Sequence, residues 1–171
     1  VYSIALVVTA VAVWTLVPGH DRKPAHGRTF REINRPLHDL RVWRFGLYYI
    51  VVFGAYVGMA LWLPKYYVDV YGVDLRTAGF LTALFIFPAS LLRPLGGYLS
   101  DRLGPRPVTY TAFIVMCLAF VWLSLGVGIG LFTALVIVVG AMMGIGKASV
   151  YKYVANYYPR DVGVVGGLVG A

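Results

Sequence analysis

Four segments of the chain, residues 45–63, 78–99, 108–125 and 130–146, are almost continuously apolar, and each is about as long as a helix must be to cross a bilayer. A hydrocarbon core about 30 Å thick takes roughly 20 residues, and lipid offers the backbone no hydrogen-bond partners, so such segments are viable there only as helices. The composition excludes a water-soluble alternative. Of the 171 residues 60% are hydrophobic and 13% charged, and the mean hydropathy is +0.76, more apolar surface than a soluble fold of this size can hide. Two shorter apolar stretches flank the set. Residues 1–17 begin without Met and lack the charged leader of a signal peptide, so they read as the tail of a helix that starts earlier. Residues 162–171 stop after ten residues, too few for a helix to span. The expectation is an all-α integral membrane chain with four complete and two partial transmembrane helices, cut at both ends.

Charge sets the orientation, because Lys and Arg in short loops are retained on the cytoplasmic side. Residues 18–44 form a basic linker with Arg22, Lys23, Arg28, Arg31, Arg35, Arg41 and Arg44. The next connection has only Lys65 and Arg76, offset by Asp69 and Asp74; the third has Arg102 and Arg106, the fourth no charge, and the fifth Lys147, Lys152 and Arg160. Twelve cations therefore fall on one side and two on the other. The net charge of +8 is then a topology signal, and no nucleic-acid partner is expected. The linker reads as a solvated, orienting connection rather than a strip bound to anionic headgroups. His20, His26 and His38 have no metal-ligand spacing, and Cys117 is alone in a span. Neither a metal nor a cofactor is expected. No nucleophile or cofactor motif points to an enzyme.

One of the fifteen cations lies outside every loop. Arg93 sits in AGFLTALFIFPASLLRPLGGYLS, eight residues before Asp101, which places it roughly 12 Å inside the helix end at 1.5 Å per residue. An arginine near a helix centre costs about 2.5 to 3.5 kcal/mol on insertion scales. Snorkelling to the interface, an ion pair with a neighbouring span, or a solvated cavity could each offset that cost. The ion pair has no candidate partner, since no Asp or Glu lies inside these spans. One turn from Arg93 stand Ala89, Ser90, Gly96 and Gly97, a face of small residues that leaves room for a close helix or a cavity. Pro88 and Pro94 are expected to interrupt the same helix, as breaks do at many transport sites. A guanidinium stays charged when desolvated and presents a planar fork of donors suited to a planar oxyanion. The residues alone reach an anion-binding helix.

In the preceding span, GLYYIVVFGAYVG places Tyr49 and Phe53 four residues apart on one face, with Gly54 and Gly58 as a small-xxx-small pair. Ordinary helix packing accounts for this pattern. So does an aromatic wall that encloses a flat, weakly hydrated anion neutralised by Arg93.

The segment LLRPLGGYLSDRLGPRP resembles the loop motif G-x-x-x-D-R-x-G-x-R of the major facilitator superfamily, carried here by Gly97, Asp101, Arg102, Gly104 and Arg106. Its chemistry is intelligible: the glycine lets two helices touch, the carboxylate accepts from a helix N-terminus or a cation, and the arginines hold the loop inside. The segment GAMMGIGKASVYKYVANYYPRDVGVVGGLVGA is similar to the nitrate/nitrite porter branch, in which a glycine-rich helix ends near a Tyr/Phe-Pro turn and a second glycine-rich helix follows. Gly140, Gly144, Gly146, Tyr157, Pro159, Gly163, Gly166, Gly167 and Gly170 match that pattern. The resemblance covers nearly the whole chain. It implies the major facilitator fold, with 1–17 as the end of helix six and 45–171 as part of the C-terminal bundle, truncated in helix eleven. It further implies a multi-pass cell-membrane carrier of nitrate or nitrite working by alternating access, or else a superfamily carrier of another small anion. Arg93 would be the substrate-binding arginine, Tyr49 and Phe53 would line the anion site, and an N-terminal half of the same carrier would supply a second arginine. Gly140, Gly144, Gly166 and Gly167 would serve packing and gating with the loop motif. The absence of carboxylates and histidines inside the spans favours exchange over proton coupling. Lys147 stands where the family often has asparagine, and its expected role is to snorkel to the cytoplasmic face.

Overall fold

The computed structural model describes residues 2–16 and 35–170. Most of the expected basic linker, including Arg22, Lys23, Arg28, Arg31, His20 and His26, lies outside the described residues. The chain divides into two units, Val1–Ile33 and Asn34–Ala171. The described residues of the first form the apolar helix α1 (Tyr2–Leu16), in which the Thr9 and Thr15 hydroxyls donate to the carbonyls of Ala5 and Val11 four residues earlier. That back-bonding satisfies a hydroxyl where water is scarce.

The second unit opens with a 3-10 turn (Arg35–His38) and α2 (Leu40–Tyr49), which continues through a π-helical turn (Ile50–Gly54) into α3 (Ala55–Tyr71). Then come α4 (Leu75–Leu91), α5 (Arg93–Leu103), α6 (Pro105–Leu123), α7 (Ile129–Tyr157) and α8 (Val162–Gly170). Among the described residues, four helical stretches are long and apolar enough to cross a membrane: Leu40–Tyr71, Leu75–Leu103, Pro105–Leu123 and Ile129–Tyr157.

Two of these run well past the boundaries expected from hydropathy. The first starts at Leu40, five residues early, because the Asp39 carboxylate caps it by accepting from the Arg41 amide at 2.9 Å. It passes through Pro64 and ends at Tyr71, where Gly72 takes φ +66° and its amide donates to the Val68 carbonyl at 3.1 Å. The last continues eleven residues beyond Gly146, so Lys147 and Lys152 belong to α7 and not to a loop. The expected double interruption of the Arg93 helix is a single one. Pro88 stays inside α4, whereas the break falls at Leu92, with φ −86° and ψ 2°. Two residues on, Pro94 lacks the amide that would reach the Ser90 carbonyl.

The long helix α7 is the axis of the unit, with α2, the π turn, α4, α5, α6 and α8 packed around it. Its small residues allow this. A Cβ built on Gly140 would lie 2.5 Å from the Phe85 carbonyl oxygen of α4, and one on Gly144 would lie 2.6 Å from that of Ala89. On α5 the touching glycine is Gly96, whose Cβ would meet the Ile145 backbone at 2.5 Å. Gly97, the expected contact residue, has no neighbour there; one residue is about 100° of helix rotation, enough to turn it off the interface. Gly166 is in ordinary contact with Tyr151, while Gly167, Gly54 and Gly58 approach no other described helix. Between α6 and α7, the Ser149 hydroxyl donates to the Pro105 carbonyl at 2.8 Å. That commits its one proton, so at 2.7 Å the Thr109 hydroxyl is the donor to Ser149.

The two ends of the unit differ in charge. At one end lie Arg41, Arg44, Arg102 and Arg106, with Lys152 ion-paired to Asp101; Gly104, at φ +87°, turns α5 into α6 there, a conformation open in practice only to glycine. At the other, Lys65 pairs with Asp69 at 2.6 Å, and Asp74 caps α4. The basic end carries a tie between the starts and finishes of helices: the Tyr158 hydroxyl, just past α7, donates to Asp39. This bond, with the Arg41 amide, holds the Asp39 carboxyl below its usual range, while burial and the bond to Asp39 push Tyr158 up to about 12. An unfolded tyrosine ionises near about 10, so between these values the unfolded chain loses a proton that the folded one keeps, and stability falls as pH rises. Melting of the full-length carrier in detergent is therefore expected to decline from about pH 10 to about 12, and Tyr158→Phe is expected to remove part of that decline. An identical alkaline profile in the variant would show that Tyr158 does not carry it.

Candidate functional site

The π turn sits where the sequence places its aromatic pair. Its backbone bonds run i to i+5, as in the amide of Ala55 donating to the carbonyl of Ile50, and such wider turns recur at functional sites. Here Tyr49 and Phe53 stack with ring centroids 5.1 Å apart and 23° between planes. Tyr56 extends the stack at 6.4 Å from Phe53, and Tyr151 of α7 meets the Tyr49 ring edge-on at 5.2 Å.

Arg93, the first residue of α5, faces this wall. With Tyr49, Lys147, Ala148 and Tyr151 it lines a cavity of about 100 Å³. The structure thus brings Arg93 and Tyr49 to one cavity and sets Phe53 one layer back, against Tyr49. None of the lining residues is acidic. Asp101, the nearest carboxylate along the same helix, lies eight residues further on and is engaged by Lys152.

Lys147 corrects the sequence reading. It does not snorkel: only 2% of its surface is exposed. Its Nζ lies 3.2 Å from the centroid of the Tyr56 ring and 5.4 Å from that of Phe53, so aromatic faces stand where a carboxylate would be expected. The glycines around it set this depth, since a Cβ on Gly146 would strike Val52 of the π turn at 2.7 Å. Tyr151, four residues after Lys147, shares its face. The usable signal for both was the apolar spacing of Val150 and Val154, which carries the helix on past the lysine.

The cavity therefore combines two cations, two tyrosines and no acid. Such a lining is electrostatically suited to an anion, with guanidinium, ammonium and hydroxyl groups as donors. The loop residues of the motif lie apart from it. Asp101, Arg102, Gly104 and Arg106 gather at the basic end, where the Arg102 and Arg106 guanidiniums cover the rings of Tyr98 and Tyr110 at 4.7 and 5.7 Å. As a measurable consequence, Tyr49→Phe is expected to weaken anion binding by about 0.5 to 1.5 kcal/mol, or up to about 3 if the anion accepts the hydroxyl. Phe53→Ala is expected to weaken it by a smaller amount, through loss of a stacked support for Tyr49. Affinity and melting measured on the same purified variants check this; lower melting with unchanged affinity would assign both rings to packing.

The family model of the Major Facilitator Superfamily matches residues 1–171. The chain is 50% identical over 188 aligned residues to a protein of Thermus thermophilus named probable nitrate/nitrite antiporter NarK1, covering 99% of this chain and 42% of that protein. It is 35% identical to the nitrite extrusion protein of Bacillus subtilis, over 76% of this chain and 33% of that one. To a probable nitrate transporter NarT of Staphylococcus haemolyticus it is 32% identical, over 77% and 34%. The chain thus spans less than half the length of these relatives. No solved structure matches it significantly. Four spanning helices and the glycine turn after Asp101 accord with the match over the full length: this is a multi-pass membrane chain that belongs to the major facilitator superfamily.

Proposed function

We propose that the chain forms part of a carrier that moves nitrate and nitrite across the cell membrane by alternating access, rather than an enzyme. The observation that carries this reading is Arg93, a guanidinium inside a membrane-spanning stretch that faces a cavity with Tyr49 and no acidic residue. Its permanent charge is costly there without a counter-ion, and a monovalent planar oxyanion matches both its charge and its fork of donors. The names of the relatives supply the choice of nitrate and nitrite among such anions. In the alternating cycle, the anion sits near the midplane while helices close above and below it. The close approaches of Gly96, Gly140 and Gly144 to backbone of the facing helix provide the tight, smooth interfaces such motion needs. The pair Asp101–Lys152 ties α5 to α7 at the basic end, where a gate would open. The rings and cations that line the cavity include no carboxylate or imidazole, which favours exchange of one anion for another over proton coupling.

The test uses the full-length carrier in vesicles loaded with nitrite. Uptake of labelled nitrate that depends on internal nitrite, and that persists without a proton gradient, is the expected result. Uptake that is indifferent to nitrate and nitrite but follows another small anion would overturn the choice of substrate.

A further inference from the structure

Beside Arg93, the cavity has a second cation, Lys147. Lys147 is 2% exposed and lies within the membrane-spanning stretch of α7. Among the described residues, the ion pairs of lysine are Lys65 with Asp69 and Lys152 with Asp101, and none reaches Lys147. A buried ammonium without a carboxylate is an expensive structural element, and an apolar side chain of the same length would fill the space at lower cost. Its surroundings are also specific. Tyr56 places a ring face 3.2 Å from Nζ and Phe53 contributes a second at 5.4 Å, while the residue itself borders the cavity that Arg93 and Tyr49 line. Two like charges beside one cavity repel, and a shared anion between them relieves both the repulsion and the lack of a counter-ion.

From the juxtaposition of Lys147, Arg93 and the Tyr56 ring we infer that Lys147 is a second anion-binding residue of this half of the carrier, and that Tyr56 is its positioning residue. The ligand is a small monovalent oxyanion held between a guanidinium and an ammonium. Arg93 sets its plane through paired donors, and Lys147 contributes a point charge. The tyrosine ring does not touch the anion in this scheme. It fixes a flexible four-carbon side chain by a cation–π contact so that the ammonium stays beside the cavity. This inference rests on the anion-carrier reading, and deepens it.

The experiment measures equilibrium binding of nitrate, nitrite, chloride and formate to the purified full-length carrier, together with its melting temperature. Lys147→Met is expected to weaken nitrate binding by about tenfold or more, the effect of losing one charged contact to a ligand, without lowering the melting temperature, since a buried charge has been replaced by an apolar chain. Lys147→Arg is expected to recover part of the affinity. Tyr56→Leu is expected to weaken binding less, Tyr56→Phe to keep it, and Tyr56→Leu to have no further effect once Lys147 is Met. Unchanged nitrate affinity in Lys147→Met, with or without a change in melting, overturns the inference. If Lys147→Met does not insert, Lys147→Gln and Tyr56→Leu carry the same comparison, and wild-type affinity in both overturns it. Should the wild-type protein bind chloride or formate but not nitrate or nitrite, and Lys147→Met weaken that binding, the substrate assignment falls while the second cation stands. A carrier that binds none of the four sinks both.

Discussion

Arg93→Lys in the full-length carrier is expected to lower nitrate transport by roughly ten- to a hundredfold, with normal insertion and melting. The charge survives the change, so any role that needs only a cation in this stretch, such as snorkelling or topology, survives with it. What is lost is the planar pair of donors: an ammonium grips one oxygen where the guanidinium grips two. A charged hydrogen bond contributes about 1.5 to 3 kcal/mol, and each 1.4 kcal/mol is about a factor of ten, which is the origin of the range. Arg93 begins α5 and is exposed toward the cavity rather than packed, so the substitution removes little packing. Labelled-nitrate uptake and surface expression decide the matter, and wild-type affinity for nitrate in the lysine variant would remove Arg93 from the site.

Gly144→Leu is expected to cost both stability and transport. Even a methyl group at Gly144 would sit 2.6 Å from the carbonyl oxygen of Ala89 and 3.1 Å from its Cα. These are backbone atoms of α4, which cannot rotate away as a side chain can, so α4 and α7 must separate. Overpacking of this kind costs about 1 to 3 kcal/mol and occasionally more. The separation would also move the end of α4, which leads through Leu92 directly into Arg93. A matched control is Gly167→Leu, where an added Cβ meets nothing within 4 Å; its melting is expected to stay near that of the native protein. Equal melting of Gly144→Leu and the native carrier would show that the two helices do not make this close approach.

Much of the architecture was readable from residues because lipid removes choices: an apolar stretch of sufficient length in a bilayer has no alternative to a helix. Arg93 and Tyr49 were legible as candidates for a related reason, since a charge stands out in a hydrophobic run and four-residue spacing fixes a shared face. The lining of their cavity was only half visible. Lys147 reads as the end of an apolar run, because hydropathy counts a charge as a boundary and is blind to the rings of Tyr56 and Phe53 that receive it. Those rings come from another helix, and no one-dimensional pattern pairs them with the lysine. The same blindness separates Gly96 from Gly97: both are glycine, both belong to the recognisable stretch, and only the rotation of α5 about its axis decides which touches Ile145. Nothing in the residues of the π turn, IVVFG, marks it off from an ordinary helical turn.

The break at Leu92 has a mechanical consequence. Arg93 is the first residue after it, and the eleven residues of α5 extend away from it for roughly 16 Å at 1.5 Å each. A bend of about 10° at Leu92 would swing the far end of that lever, with Asp101 and the Gly104 turn, by about 3 Å. The Arg93 backbone, mounted at the fulcrum, would scarcely be displaced. Such placement would decouple two demands that a rigid rod sets against each other: the group proposed to hold the ligand would stay still while the tip of the same rod travelled.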